Sequence, residues 1–135
     1  MYKHILLAVA FDDEHDAEQS TQIAKVLSDA DTRVTVLHVK EVIPQFVTTY
    51  VPDGFDNKID EEYKAKLATL ASQFDQGVPV LIEGHSGRTI VDWAELNAVD
   101  CIIIASHRPG LQDYLLGSTA ARVVRHAQCA VHVLR

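Results

Sequence analysis

The chain reads as an α/β protein: a five-stranded parallel sheet with helices on both faces. Three observations predict this. Short apolar or β-branched runs recur at five places, "HILLAVA", "RVTVLHV", "VPVLIEG", "DCIIIAS" and "CAVHVLR"; runs with little polar alternation suit strands covered on both faces. Longer segments with helical periodicity lie between them, and regular alternation of strand and helix is the pattern of a parallel sheet. Pro79 stands inside the third run. Proline has no N–H for a ladder, so that strand belongs at an edge or begins at its proline.

The elements follow in order. Residues 4–10 form the first strand. Residues 13–29, "DEHDAEQSTQIAKVLSD", carry acids at the start and Ala17, Ile23, Ala24 and Leu27 on one side. That is a helix with its negative charges at the positive end of the macrodipole. Residues 33–39 are the second strand. Residues 40–57 hold Pro44, Pro52 and Gly54 among aromatics and read as a long surface loop. Residues 58–75 form a helix with Ile59, Tyr63, Leu67 and Leu70 on one stripe. A strand at 78–84 precedes a helix at 87–97, where Ile90, Val91 and Ala94 face the core and Trp93 lies at the edge. Residues 100–106 are the strongest strand, 118–127 the last helix and 129–135 the closing strand.

Length and composition narrow the class. A chain of 135 residues is expected to form one domain over 1–135 with a sizeable core. No apolar run reaches the roughly 18–20 residues of a membrane span. The first apolar run leads into four acids between Asp12 and Asp16 rather than into a small-residue cleavage site, so no signal peptide is expected and the protein reads as cytoplasmic. The net charge of −7 argues against nucleic acid and anionic lipid as partners. From Ala105 onward, however, four arginines stand against the single Asp113, so the basic end is the one suited to an anion. Cys101 and Cys129 lack C-x-x-C or metal spacing and are expected to be reduced, buried thiols.

Ligands of open parallel sheets sit beyond the carboxyl ends of the strands, where the winding reverses. The stretch "ASHRPGLQDYLLGSTAARVVRHA" (residues 105–127) leaves the fourth strand and enters a helix through Gly117-Ser118-Thr119. Free N–H groups at a helix start and a glycine without Cβ suit a phosphate; spacing alone also allows Ser118 to be a simple N-cap. "GHSGR" at 84–88 lacks the length and the Lys-[ST] pair of a P-loop. No nucleophile elbow or H-E-x-x-H occurs, so efficient catalytic turnover is not expected.

"YKHILLAVA", "VLHV" and above all "IIIASHRPGLQDYLLGSTAARVVRHAQCAVHVLR" resemble the universal stress protein family over the whole chain. "SHRP", "LLGS" and "VVRHAxCxVxVxR" are most similar to its UspF-like branch. The resemblance implies strand order 3-2-1-4-5 in a Rossmann-like sheet of the adenine nucleotide alpha hydrolase type, with the crevice between the first and fourth strands. It implies ATP as ligand, held through G-x2-G-x9-G-[ST], with at most slow hydrolysis expected. Mg²⁺ is the expected companion of the ATP, with Asp12 or Asp13 as the acids to touch it. Gly117, Ser118 and Thr119 match the terminal G-[ST], and Val39 matches the backbone contact to adenine. Ala105 replaces the first glycine, and "ASHRPG" through Gly110 is one residue shorter than the family turn. Ala10 stands where an aspartate is usual, with Asp12 close enough to substitute. Ser106 and His107 belong to the mouth of the same site. Arg108 points to the phosphates or to solvent, and Gly84 serves as a turn or lets the nucleotide lie over the strand end. The closing strand lacks the proline, lysine or bulge that protects an edge. It is therefore expected to pair with a second copy, as the resemblance also implies, and dimers of dimers would extend this to a tetramer.

Overall fold

The computed structural model describes residues 1–11, 17–42, 55–106 and 116–135, without the side chains of 55 and 56. The strands are β1 (His4–Ala8), β2 (Arg33–Lys40), β3 (Gln76–Glu83), β4 (Cys101–Ala105) and β5 (Ala130–Leu134). The helices described are α1 (Ala17–Leu27), α2 (Phe55–Ala71), α3 (Ser86–Leu96) and α4 (Ser118–His126). All strand pairs are parallel and the order is β3-β2-β1-β4-β5, as the resemblance implied. Pro79 lies in the edge strand β3, opposite Val36 of β2. An edge strand is laddered on one side only, so it accommodates a residue with no N–H.

Period-2 alternation divides the core between the two faces of the sheet. Ile5 and Leu7 of β1 face α1 and α2, joining Val34, Val36, Ile103, Ala24 and Leu67. Leu6 and Ala8 face α3 and α4, joining Leu37, Ile102, Ile104, Ile90 and Val123. Ile5, Leu6 and Leu7 are fully buried, so each contributes about 1.5–3 kcal/mol of transfer free energy. Truncating one of them to Ala would cost about 2–5 kcal/mol, because a cavity is added to the lost transfer term. This sandwich holds the carboxyl ends of β1, β2 and β4 in fixed relation.

Several boundaries differ from the sequence reading. β1 ends at Ala8 rather than at residue 10, although Val9 N–H still donates to Leu37 O at 2.9 Å. The helix expected at 58–75 runs from Phe55 to Ala71. It stops because the chain tightens: Gln73 and Phe74 donate to the carbonyls three residues back, Leu70 and Ala71. Gly77 then passes so close to Ala71 O that a Cβ there would lie 1.9 Å from it. β3 therefore begins at Gln76, ahead of Pro79. Most of the loop expected at 40–57 lies outside the described residues.

Candidate functional site at the carboxyl edge of the sheet

The carboxyl ends of β4, β1 and β2 and the starts of α3 and α4 enclose a cavity of about 260 Å³. Adjacent β1 and β4 carry their following helices on opposite faces, so the cavity lies where the winding reverses. Small-molecule pockets span roughly 300–1,000 Å³, which puts this one near the lower bound.

Seven of the eight described residues singled out by sequence line it: Ala10, Val39, Ala105, Ser106, Gly117, Ser118 and Thr119. Gly84 does not. Its φ of +156° and a would-be Cβ 2.4 Å from Thr89 Oγ1 make it a glycine required by the turn from β3 into α3. Asp12, His107, Arg108 and Gly110 lie outside the described residues, as does the shortened turn.

The start of α4 is open toward an anion. Gly117 occupies the N-cap position with no side-chain cap hydrogen bond, and Ser118 is the first helical residue. The reading of Ser118 as a simple N-cap is thereby corrected: a glycine has taken that place. Gly117 N–H is fixed by Ser106 Oγ at 3.0 Å, and Ser106 itself donates its backbone N–H to Leu134 O at 2.7 Å. Gly117 has φ −61° and ψ 157°, a backbone that any residue adopts, and a Cβ there would meet only Ser106 O at an ordinary 3.4 Å. The turn alone does not require a glycine.

α3 also starts at this cavity, but its positive end is met internally. Glu41 Oε1 accepts from Ser86 N–H at 3.2 Å, a carboxylate where the helix dipole favours one. Ser86 Oγ and Thr119 Oγ1 lie 3.0 Å apart, joining the two helix starts.

At the β2 end, the ladder onto β1 stops with Val9. The Val9 carbonyl is taken by His38 Nδ1–H at 2.8 Å. Alternation places Val39 N–H and C=O on the same side as those of Leu37, which faces β1. They therefore lie past the end of β1, at the cavity: a donor and an acceptor suited to the edge of a heterocycle. The ring of His38 packs against Phe11 and Tyr63, with centroids at 4.7 and 4.8 Å, and Lys66 Nζ stands 5.5 Å over Phe11.

Sequence reasoning missed Phe11, Ser20, His38, Glu41 and Ser86 among the wall residues. Only Ser86 had a local signal, its place after the Gly84 turn. The others are gathered by packing. Neither thiol offers chemistry here. Cys101 is buried and Cys129 half-buried, and desolvation pushes both thiols up from their ordinary pKa. Among the described residues no three His, Cys, Asp or Glu side chains cluster to hold a metal ion.

A doubly wound α/β sheet with a cavity and an uncapped helix start at its switch point defines a broad class of small-ligand proteins. Within it, the chain belongs to the universal stress protein family, whose sequence profile matches residues 1–135. It is 31% identical over 140 residues to universal stress protein A homolog 2 of Coxiella burnetii, covering 99% of this chain and 95% of that protein. It is 30% identical to universal stress protein G of Shigella flexneri, with both chains fully covered. The structure of hypothetical protein MJ0577 superposes with a TM-score of 0.80 at 28% identity, covering 99% of this chain and 96% of that one. More distant family folds share the architecture: the Archaeoglobus fulgidus protein in complex with dAMP (TM-score 0.62, 18% identity, 99% and 98% covered). An Arabidopsis thaliana member with AMP bound gives 0.60 at 16% identity, with 98% and 90% covered.

Proposed function

We propose that this chain binds an adenine nucleotide, ATP in the first instance, and acts as a nucleotide-responsive homodimer in the cytoplasm. The observation that carries the reading is the uncapped start of α4 beside Gly117, opening into the cavity that ends at Val39. The unbonded N–H groups of a helix start favour a phosphate by about 0.3–1 kcal/mol, and by about 2 kcal/mol when partly buried. Gly117 leaves the backbone bare where the phosphate approaches. Val39 N–H and C=O would pair with the edge of the base. The solved relatives with dAMP and AMP support the same ligand class.

We read the role as binding rather than turnover. Glu41 is the one acid among the described wall residues, and it is engaged at the start of α3 instead of being poised over a water. Asp12, with Asp13, remains the candidate holder of Mg²⁺.

Saturating ATP with Mg²⁺ should raise the melting temperature. At a ligand concentration of 100 times Kd the gain is about 2.7 kcal/mol. Ser118→Asp should abolish it, because a carboxylate would meet the phosphate at the helix start. Absence of any shift for the wild type at millimolar ATP defeats the reading.

A nucleotide-free interaction protein is the second reading. The methyl groups of Ala10 and Ala105 in the cavity wall favour it, since they stand where a ligand would gain from a carboxylate and from bare backbone. Native mass spectrometry of freshly purified protein separates the two, because co-purified adenine nucleotide eliminates the second.

A further inference from the structure

The middle of α1 offers a wall residue whose chemistry is unused. Two polar side chains are buried there, Ser20 at 3% and Thr21 at 2% exposure. Thr21 turns its hydroxyl back along the helix and donates to Ala17 O at 2.7 Å, the local bond open to such residues. Ser20 makes no such bond. Among the described residues its hydroxyl has no hydrogen-bond partner, and Ser20 lines the cavity. A buried hydroxyl left unpaired is unfavourable. At a cavity wall, the partner that removes the penalty is a ligand.

Position indicates which part of a ligand that is. The wall follows the sheet order from β4 through β1 to β2: Ala105 and Ser106 at one end, Val9 and Ala10 in the middle, His38 and Val39 at the other. α1 packs on β1 and β4, so Ser20 stands over the β4–β1 part of that run, between the start of α4 and the end of β2. It comes from the opposite face to α4. A nucleotide with its phosphate at the start of α4 and its base at the end of β2 brings its sugar between them. We propose that Ser20 Oγ hydrogen-bonds a ribose hydroxyl of the bound nucleotide and is a specificity residue of the site. This rests on the adenine-nucleotide reading above.

The test compares ATP, 2′-deoxy-ATP and 3′-deoxy-ATP on the wild type and on Ser20→Ala, by calorimetric titration. Ser20→Ala should weaken ATP binding by about three- to tenfold, the usual worth of a neutral hydrogen bond. The wild type should lose the same factor with one of the two deoxynucleotides, and the variant should no longer distinguish that deoxynucleotide from ATP. Without ligand, Ser20→Ala should melt at or above the wild-type temperature, since no bond is lost. Equal ATP affinity of variant and wild type refutes the role of Ser20 while leaving nucleotide binding intact. So does uniform weakening toward all three ligands, or a melting temperature lowered with discrimination retained. A wild type that binds none of the three refutes both readings.

Discussion

The hydroxyls of Ser86 and Thr119 meet at 3.0 Å, tying the first turn of α3 to the first turn of α4 over a shared cavity. The two helix starts are then unequal: one is met by Glu41 and the other is left for a ligand. Thr119→Val removes the tie at constant shape and should cost about 0.5–1.5 kcal/mol in urea unfolding. Ser86→Ala should cost a similar amount. The double variant should lose clearly less than the sum, because both changes delete the same bond. Additive losses would show that the two hydroxyls act separately.

Gly117 and Gly77 should respond to alanine in opposite ways. Gly77→Ala drives a methyl into Ala71 O and should destabilise the fold by about 3 kcal/mol or more, as overpacking against backbone does. Gly117→Ala meets only ordinary contact with Ser106 O and should leave the unfolding free energy within about 0.5 kcal/mol of wild type. Its ATP affinity should nevertheless fall about tenfold or more, because the new methyl occupies the approach to the helix amides. An alanine variant that binds ATP as wild type would remove Gly117 from the site.

His4 should make the fold sensitive to acid. Its ring is buried, with Nδ1–H donating to Asn97 O at 3.0 Å and Nε2 accepting from Thr35 Oγ1 at 2.8 Å, an arrangement that uses the neutral imidazole. Burial pushes its pKa below the ordinary value, and Arg33 adds to this; the Asn97 carbonyl and Asp100 oppose it in part. The unfolded chain therefore takes up this proton first, near pH 6.5. Stability from His4 is complete above that pH and is lost as pH falls toward the lower folded value. In urea unfolding between pH 8 and pH 5, His4→Gln should show a shallower loss than wild type despite a lower starting stability. Parallel curves would assign the acid sensitivity elsewhere.

The outer edge of β5 gives a test of assembly. Leu134 O accepts from Ser106 N–H, so by alternation Ala130, His132 and Leu134 turn their backbone groups toward β4. Val131 and Val133 turn theirs outward. Val131→Pro removes an outward N–H and spares the β4 ladder. If two copies pair along this edge, native mass spectrometry should show dimers for wild type and monomers for the variant, with circular dichroism unchanged. A dimer that survives the proline is held by another surface.

The architecture was legible because its signals are local. Apolar runs such as "CIIIA" have few alternatives to a buried strand, and Pro79 alone marked an edge. Gly117 through Thr119 stood out because glycine and hydroxyls before a helical stretch have a direct chemical reading. Ser20 was invisible because it sits among "EQSTQ", where the helix looks polar, and only the packing of α1 on β1 and β4 shows that this part of it is buried. His38 and Phe11 likewise lie 27 residues apart in sequence and meet only because β1 and β2 are neighbours. Gly84 misled for the opposite reason: a glycine at a strand end looks the same whether the backbone or a ligand demands it.

The cavity is walled by α1 from one face of the sheet and by α3 and α4 from the other, two layers that lie on opposite sides of the strands. A molecule seated there acts as a rivet through the end of the sandwich. Filling it should slow amide exchange in both layers together, so the outer surface of α2, which carries no cavity hydroxyl, would still register whether the site is full.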